Sequence, residues 1–239
     1  MRIPLRFEKL SMYERKEEPC TVAVPFAQGK VRDLSRAGVL DGELPIPSQT
    51  RVLSYWPDGS IKWALTHFLA NLPANRGKSF VYSTEAAAIE PKNAVEVSLN
   101  EGGCFIDTGA IQFEMNGPGQ RGLFRYIRMK NGLRLDRVSG PVVYDGTRQA
   151  FECKIDADGW DILESGPVRA VVQAKGRHTS IGGRPWLDFV VRIYAFAGKP
   201  WLRMDYQIIQ REPEAELIVD ALVLQIHKPV LPEGTGSIQ

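Results

Sequence analysis

Hydrophobic and polar residues alternate with a period of two along most of this chain. In the N-terminal part the alternation is clear at 3–7, 21–26 and 80–84. Within 21–26, for example, Val22, Val24 and Phe26 take every second position. Such segments place one face toward a core and the other toward water, as half-buried strands do. Only residues 30–40 have room for a helical turn, and we expect a loop there with a single 3₁₀ or α turn. The pattern predicts an all-β chain.

A small, polar, proline-containing stretch at 86–93 separates this first run of strands from a second one. Because such stretches are typical of linkers, we predict two domains, 1–88 and 89–239. The later strands are longer, and residues 202–209 alternate apolar with polar side chains. We interpret the second domain as antiparallel sheets packed face to face, that is, a β-sandwich. Residues 231–239 are polar and glycine-rich, so the chain is expected to end without a packed element there.

The segment Trp56 to Trp63 reads W-P-D-G-S-I-K-W, with β-forming residues on both sides. Pro57, Asp58 and Gly59 are turn residues, because proline presets φ, aspartate caps its own backbone and glycine accepts positive φ. The sequence therefore predicts a tight β-hairpin with a tryptophan at each shoulder.

Composition excludes several classes of function. The chain has 239 residues and a net charge of +2, from 30 basic and 28 acidic residues without a long run of one sign. A nucleic-acid binder would gather its basic residues on one face, so that class is disfavoured. No apolar run approaches the length of a membrane span. The first residues lack the apolar region of a secretory signal, which suggests the cytoplasm; a trimmed N-terminus would look identical, so the compartment stays open.

Motifs of common catalytic centres are missing from the sequence. Cys20, Cys104 and Cys153 are widely spaced and odd in number, which fits buried free thiols better than disulfides or zinc. Residues 117–122 are glycine-rich but follow no nucleotide-type strand, so we predict a hairpin loop. No phosphate loop, serine elbow or calcium loop is present, and we predict neither a cofactor nor a metal site.

Several segments resemble one known family in their order along the chain. In the N-terminal part they are Val24–Val31, Ile46–Val52 and Trp56–Trp63. These are similar to the RIFT-barrel domain of YetA-like proteins, which include exo-acting rhamnogalacturonan lyases (polysaccharide lyase family 26). Further on, Glu164–Val172, Gly176–His178 and Ala195–Pro200 resemble the central β-sandwich of that family. The resemblance implies a small RIFT-type β-barrel followed by an antiparallel β-sandwich.

The resemblance also implies what this chain lacks. Family members continue into a large C-terminal α/α toroid, and no segment here has the pattern of a toroid helix. We therefore expect an N-terminal portion whose sandwich is truncated at its C-terminal end, and which is inactive alone. The implied partners are a pectic polysaccharide or oligosaccharide and the missing toroid.

The implied chemistry is β-elimination on an acidic sugar, which needs a base and a cation to stabilise the developing charge. The best candidates are Lys175, Arg177 and His178, at the end of a long predicted strand. An imidazole titrating near neutrality could take a proton, and two cations could hold a carboxylate. The alternative is a surface turn with solvated charges.

Aromatic residues are the candidates for contact with sugar. Trp160 follows Asp158 and Gly159 in a turn-like setting, so we predict an exposed substrate-binding tryptophan. Trp56 and Trp63 could offer flat faces to a sugar ring, but we expect both to fill the barrel core. Trp186 and Trp201 flank strands and are also expected in the core.

Three polar residues lie within predicted strands among apolar neighbours. Gln49 and Arg51 are expected to be buried and hydrogen-bonded to backbone, and His67 to be a satisfied core histidine.

Three classes of function remain open. The chain is the non-catalytic part of a rhamnogalacturonan-lyase-like enzyme, an autonomous carbohydrate-binding module, or a structural domain that assembles through a sheet edge. We favour the first.

Overall fold

The computed structural model describes residues 1–8, 11–136, 138–211 and 217–226. In these ranges the regular elements are β-strands, which confirms the all-β prediction. In chain order they are β1 (Arg2–Phe7), β2 (Arg15–Pro25), β3 (Gly38–Asp41), β4 (Leu44–Ile46), β5 (Ser48–Tyr55), β6 (Ile61–Leu72), β7 (Lys78–Ser83), β8 (Glu96–Asn100), β9 (Gly103–Asp107), β10 (Ile111–Asn116), β11 (Phe124–Met129), β12 (Arg134–Leu135), β13 (Val138–Asp145), β14 (Ala150–Glu164), β15 (Arg169–Thr179), β16 (Pro185–Phe196), β17 (Leu202–Ile209) and β18 (Val219–Ile226). Across the described ranges, no helix could span a membrane.

Contacts between residues divide the chain into two compact units. The first unit comprises Met1–Val95 together with the short segments Gly166–Arg169 and Phe196–Gly198. The second comprises Glu96–Ser165, Ala170–Ala195 and Lys199–Gln239. The domain limits 1–88 and 89–239 stay a prediction. The expected polar end at 231–239 lies outside the described residues.

The first unit contains two antiparallel sheets, ordered β1–β7–β3–β4 and β2–β6–β5. Their inner faces share one hydrophobic core, because apolar residues alternate along every strand. Phe68 and Phe80 are fully buried there, with ring centroids 5.7 Å apart in an edge-to-face arrangement. Residues 30–37 form a loop that leads into β3, and the bond from Ala37 N to Leu34 O (2.9 Å) closes a turn in it, as expected. The last three residues of the predicted loop, 38–40, are part of β3.

The hairpin of β5 and β6 follows the sequence prediction. Asp58 Oδ1 accepts from Ser60 N at 3.0 Å, and Gly59 takes a φ of 77°, as the turn requires.

The expectation that Trp56 and Trp63 both fill the barrel core is only partly correct. Trp56 is half-buried and donates its Nε1–H to Phe26 O at 3.0 Å, but Trp63 is 38 % exposed. Trp63 lies outside the core because it projects from the outer face of β6, whereas Ala64 projects inward.

The second unit is built on one long antiparallel sheet. Its order is β17–β16–β15–β14–β13–β11–β10–β9–β8, with β12 beside β11 and β18 beside β13. Apolar residues on alternate positions of these strands form the core, as in β10, where Ile111, Phe113 and Met115 are buried. Trp186 is buried against Phe151, with ring centroids 4.9 Å apart. Trp201 is 44 % exposed, so its predicted place in the core is wrong.

Candidate functional site

The second unit places basic side chains next to each other on β14 and β15. Lys154 stands directly opposite Arg177 in the antiparallel ladder, so both project from the same face of the sheet. Lys175 is two residues from Arg177 and therefore also lies on that face. Lys154 and Lys175 are exposed, and Arg177 is half-exposed. Two neighbouring strands thus present three cations together.

A groove of about 500 Å³ lies beside these cations. It is lined by Pro118, Gly119, Lys154, Ile155, Asp156, Ala157, Arg177 and Thr179. We call it the cationic groove. Its size falls in the range of small-molecule sites in proteins.

The glycine-rich segment 117–122 forms one border of the cationic groove. It connects β10 to β11, as the prediction of a hairpin loop requires. Gly119 has a φ of 78° and donates its N–H to Ile155 O at 3.1 Å. Arg121 fixes the loop further, because its Nη1 and Nη2 donate to the carbonyl oxygens of Thr179 (3.1 Å) and Ser180 (2.8 Å). A side chain at position 119 would be strained at this φ.

Asp188 on β16 orients Arg177. The Arg177 Nε–H donates to Asp188 Oδ1 at 2.5 Å, and Arg211 Nε lies 3.0 Å from Asp188 Oδ2. The Asp188 side chain is only 16 % exposed, so this pair is less screened than a fully exposed one. One carboxylate therefore holds two guanidinium groups, and it fixes the direction in which Arg177 extends over the sheet.

His178 lies on the opposite face of the sheet from Lys175 and Arg177, because successive residues of a strand point in opposite directions. It is fully buried. The three predicted catalytic side chains therefore do not converge, which corrects our expectation. Lys175 and Arg177 remain candidates for the stabilisation of charge.

The hydrogen bonds of His178 define its tautomer. A backbone carbonyl can only accept, so Nδ1 donates to Leu187 O at 2.9 Å, and Nε2 accepts from the Tyr206 hydroxyl at 2.9 Å. Burial lowers the pKa of His178 from its ordinary value of 6.5. The hydrogen bond to the Leu187 carbonyl and the charge of Asp188 act in the opposite direction, but burial is the largest effect. Burial also raises the pKa of Tyr206. His178 is thus a neutral core residue whose two ring nitrogens are both bonded.

Trp160 is buried, with 5 % of its surface exposed, so the predicted exposed aromatic is wrong. The residues before it form a bulge within β14 rather than a surface turn, as the break in register between Ile155 and Trp160 shows. After the bulge, Trp160 stands opposite the buried Ala174 and projects into the core. Its Nε1–H donates to Asn116 O at 2.8 Å. Its role as a substrate-binding residue finds no support in this placement.

The polar residues predicted within the first strands have mixed outcomes. Gln49 bonds to backbone groups of Val168 and Arg169, as predicted. His67 is 1 % exposed and its Nδ1 lies 2.8 Å from Thr21 Oγ1, so the prediction of a satisfied core histidine is confirmed. Arg51 is exposed on the outer face of β5, so its predicted burial is wrong.

The three cysteines are free and buried, as predicted. Burial raises the pKa of Cys104 and that of Cys153 to about 12, and that of Cys20 to about 11. These thiols are therefore protonated at neutral pH and act as small apolar side chains. In the residues that the structure describes, no cluster of histidine, cysteine or carboxylate side chains could hold a metal ion.

Sequence reasoning missed Lys154, Asp188 and Arg211. Lys154 and Asp188 each lie between apolar neighbours in the sequence, and Arg211 is followed directly by Glu212. Only the pairing of β14 with β15, and the contacts of β16, bring them to Arg177. Lys154 could have been found from the sequence. A charged residue on the strand before β15, at a position that pairs with Arg177, indicates a side chain on the same face of the sheet.

Residues 6–82 match the family model of the PcRGLX-like N-terminal RIFT barrel domain, and residues 95–234 match that of the PcRGLX-like protein central beta sandwich domain. The chain belongs to the PcRGLX-like family. The two PcRGLX-like domains occur in the order expected from the sequence, a RIFT barrel followed by a β-sandwich. They suggest a relation to rhamnogalacturonan lyases.

A curated relative of this PcRGLX-like chain is the uncharacterized protein YetA of Bacillus subtilis (strain 168), which is 26 % identical over 211 residues. The match covers 83 % of this chain and 24 % of YetA. The chain therefore spans about a quarter of the length of this relative. The predicted similarity to YetA-like proteins is confirmed.

Proposed function

We propose that this chain is the non-catalytic N-terminal portion of a rhamnogalacturonan-lyase-like polysaccharide lyase, which acts on pectic sugar by β-elimination. The barrel serves as scaffold, and the cationic groove of the sandwich forms one wall of the substrate cleft. The α/α toroid implied by the family resemblance carries catalysis. The main support is the pair Lys154 and Arg177, side by side at a groove in a PcRGLX-like sandwich.

The chemistry of a pectic chain matches this pair of cations. Each uronate unit carries a carboxylate, and elimination increases the negative charge that this group must bear. Arg177 presents a planar guanidinium oriented by Asp188, and Lys154 adds a flexible point charge. Lys175 extends the positive potential along β15. The groove is therefore suited to hold a uronate.

The histidine that sequence analysis offered as the base is not part of the groove. His178 faces the core and is bonded at both ring nitrogens. The described lining has no histidine or tyrosine, and the side chains in it that could accept a proton are Asp156 and Lys154. The assignment of catalysis to the toroid therefore rests on the family resemblance.

The test is a calorimetric titration of the chain with a short oligogalacturonide. We expect saturable binding, and Lys154→Ala and Arg177→Ala should each weaken it roughly five- to tenfold, because each removes one charge-assisted contact. Lys92→Ala removes an exposed charge in the first unit and is the matched control. Ultraviolet absorbance should show no unsaturated product. Absence of binding, indifference to both groove variants, or turnover by this chain alone would overturn the proposal.

A second candidate is an assembly domain, which one observation favours. The segment around β18 exposes large apolar side chains: Ile218 is 72 %, Leu222 is 50 % and Leu224 is 43 % exposed. Contiguous apolar surface of this kind is a mark of interaction sites. Sedimentation velocity over a range of concentrations tests it, since assembly should be lost in Leu222→Lys. A monomer at every concentration removes this candidate.

A further inference from the structure

The cationic groove also contains a carboxylate. Asp156 lines it together with Lys154 and Arg177, and its side chain is exposed. Ile155 is buried, so Lys154 and Asp156 on either side of it both project from the outer face of β14. A negative charge beside the cations weakens the attraction of an anion. The binding of a uronate carboxylate therefore does not account for Asp156.

The spacing of these charges matches the length of one sugar unit. Lys154 stands directly opposite Arg177, so the two cations form one end of the groove. Asp156 lies two residues further along β14, which in an extended strand is a distance of roughly 6–7 Å. In a pyranose uronate, the carboxylate and the two free hydroxyls of a linked unit lie at opposite ends of the ring. A single unit can therefore reach the cations with one end and Asp156 with the other.

The chemistry of Asp156 suits a pair of neighbouring hydroxyls. An ionised carboxylate only accepts hydrogen bonds, and its two oxygens can accept from two hydroxyls at once. Hydrogen bonds to such a charged acceptor are shorter and stronger than neutral ones. An anion without hydroxyls, such as a sulfate group, would meet only repulsion at this end of the groove.

The glycine-rich loop fixes the backbone that carries Asp156. The N–H of Gly119 donates to the carbonyl oxygen of Ile155, the residue directly before Asp156, at 3.1 Å. Pro118 also lies close to the bulge, because a Cβ at Gly159 would stand 3.4 Å from Pro118 Cγ. Pro118 therefore offers an apolar surface between loop and strand. An apolar lining with a few polar groups that set the orientation is typical of ligand sites.

We propose that Asp156 determines the specificity of the cationic groove by accepting hydrogen bonds from the ring hydroxyls of a bound uronate. Lys154 and Arg177 hold the carboxylate of the same sugar unit. The groove thus selects a uronate with free hydroxyls over its O-acetylated form and over anions that have no hydroxyls. This inference rests on the proposed function, because it concerns the ligand of the same groove.

The sign of one substitution tests this role. If Asp156 acts through its charge alone, its removal strengthens the binding of an anion. If it accepts from hydroxyls, Asp156→Ala weakens the binding of a short oligogalacturonide, and we expect roughly a five- to tenfold loss in a calorimetric titration. Asp156→Asn keeps one acceptor oxygen and should lose less. Asp158→Ala is the matched control, since Asp158 is an exposed carboxylate of the same bulge that is not among the lining residues. It should leave binding unchanged or slightly stronger.

An oligogalacturonide that is O-acetylated at its ring hydroxyls is the second ligand. The unchanged chain should bind it roughly three- to tenfold more weakly than the unmodified oligogalacturonide, because the hydroxyl donors are lost. Asp156→Ala should bind the two ligands almost equally. Lys154→Ala should weaken both and keep the preference for free hydroxyls, since it removes only a contact to the carboxylate.

The outcomes separate this inference from the proposed function. Stronger or unchanged binding in Asp156→Ala, together with weaker binding in Lys154→Ala and Arg177→Ala, overturns the role of Asp156 and leaves the proposed function in place. Equal losses in Asp156→Ala and Asp158→Ala also overturn it, because they would show a general disturbance of the bulge. A loss in Asp156→Ala without any effect of the two cation variants contradicts the proposed function instead. Absence of binding to the unchanged chain overturns both.

Discussion

The side-chain amide of Gln49 forms hydrogen bonds in both directions with the backbone of Arg169, 120 residues further along the chain. Its Oε1 accepts from Arg169 N at 3.0 Å, and its Nε2 donates to Arg169 O at 3.1 Å. The same Oε1 also accepts from Val168 N at 3.0 Å. Gln49 thus takes the place of a strand neighbour for the short segment Gly166–Arg169 in the first unit.

Replacement of Gln49 should destabilise the chain. Gln49→Ala removes three hydrogen bonds to the backbone of Val168 and Arg169, and a part-buried group that loses such a bond costs about 1–3 kcal/mol. We expect a loss of that size in the free energy of unfolding, measured by urea denaturation. Gln207→Ala, at an exposed position of β17, is the control and should change stability by less than about 0.5 kcal/mol. Equal effects of the two variants would contradict this role of Gln49.

Gly166 should be coupled energetically to Gln49. A Cβ at position 166 would lie 2.2 Å from Gln49 Cδ and 2.4 Å from Oε1, so alanine there must displace the glutamine side chain and break its bonds. Gly166→Ala should therefore destabilise the chain, and the penalty should shrink when Gln49→Ala is already present. A double-mutant cycle measures this coupling, which we expect at about 0.5–3 kcal/mol. Additive effects would show that the two positions act independently.

Tyr206 should contribute to stability through His178. The hydroxyl of Tyr206 donates to Nε2 of the buried imidazole, and Tyr206→Phe leaves that nitrogen without a donor. We expect a loss of about 1–3 kcal/mol in the free energy of unfolding, with the fold retained because the stacked ring against Phe189 remains. Tyr13→Phe is the control, because Tyr13 is 74 % exposed. A neutral outcome for Tyr206→Phe would mean that water replaces the hydroxyl.

The buried thiols should react only when the chain unfolds. Cys104 and Cys153 have no exposed surface, and their pKa values of about 12 leave little thiolate at neutral pH. Labelling with a thiol reagent should be slow in the native state and should reach all three cysteines in denaturant. Ser35→Cys, in an exposed loop, provides a rapidly labelled control. Rapid native labelling of Cys153 would show that the second unit opens locally.

Local chemistry and periodicity were sufficient to predict the strands and the Trp56–Trp63 hairpin, whereas the order of a barrel followed by a sandwich came from the family resemblance. They were not sufficient for contacts that depend on pairing between distant segments. The sequence predicts Trp160 at the surface because Asp158 and Gly159 are turn residues, but these residues belong to a bulge when β14 pairs with β15. The bonds between Gln49 and Arg169 likewise join segments that no local pattern connects.

In the candidate site, too, local sequence predicts some residues and strand pairing determines the others. The place of Arg177 near a strand end is visible in the sequence, but only strand register and side-chain contacts bring Lys154 and Asp188 to it. The grouping of Arg177 with His178 was an error that alternation alone reveals, since adjacent strand residues face opposite sides.

Stability should depend on pH through His178. Burial lowers the pKa of His178 in the folded chain from its ordinary value of 6.5, so near and below that pH the unfolded chain binds more protons than the folded one. The contribution of neutral His178 to the free energy of unfolding is fully present above the pKa of the unfolded chain. It is lost as the pH falls from about 6.5 through the lower pKa of the folded chain. Thermal denaturation between about pH 7.5 and about pH 5 should therefore show a falling Tm.

His178→Gln separates this effect from the titration of carboxylates. A glutamine amide can still donate toward Leu187 O and accept from Tyr206, but it does not titrate. The variant should lose part of the decrease in Tm below about pH 6.5, while the decrease caused by carboxylates at lower pH persists. Identical slopes in the two proteins across this interval would show that His178 takes up its proton equally well in the folded and unfolded chains, which its burial and two hydrogen bonds argue against.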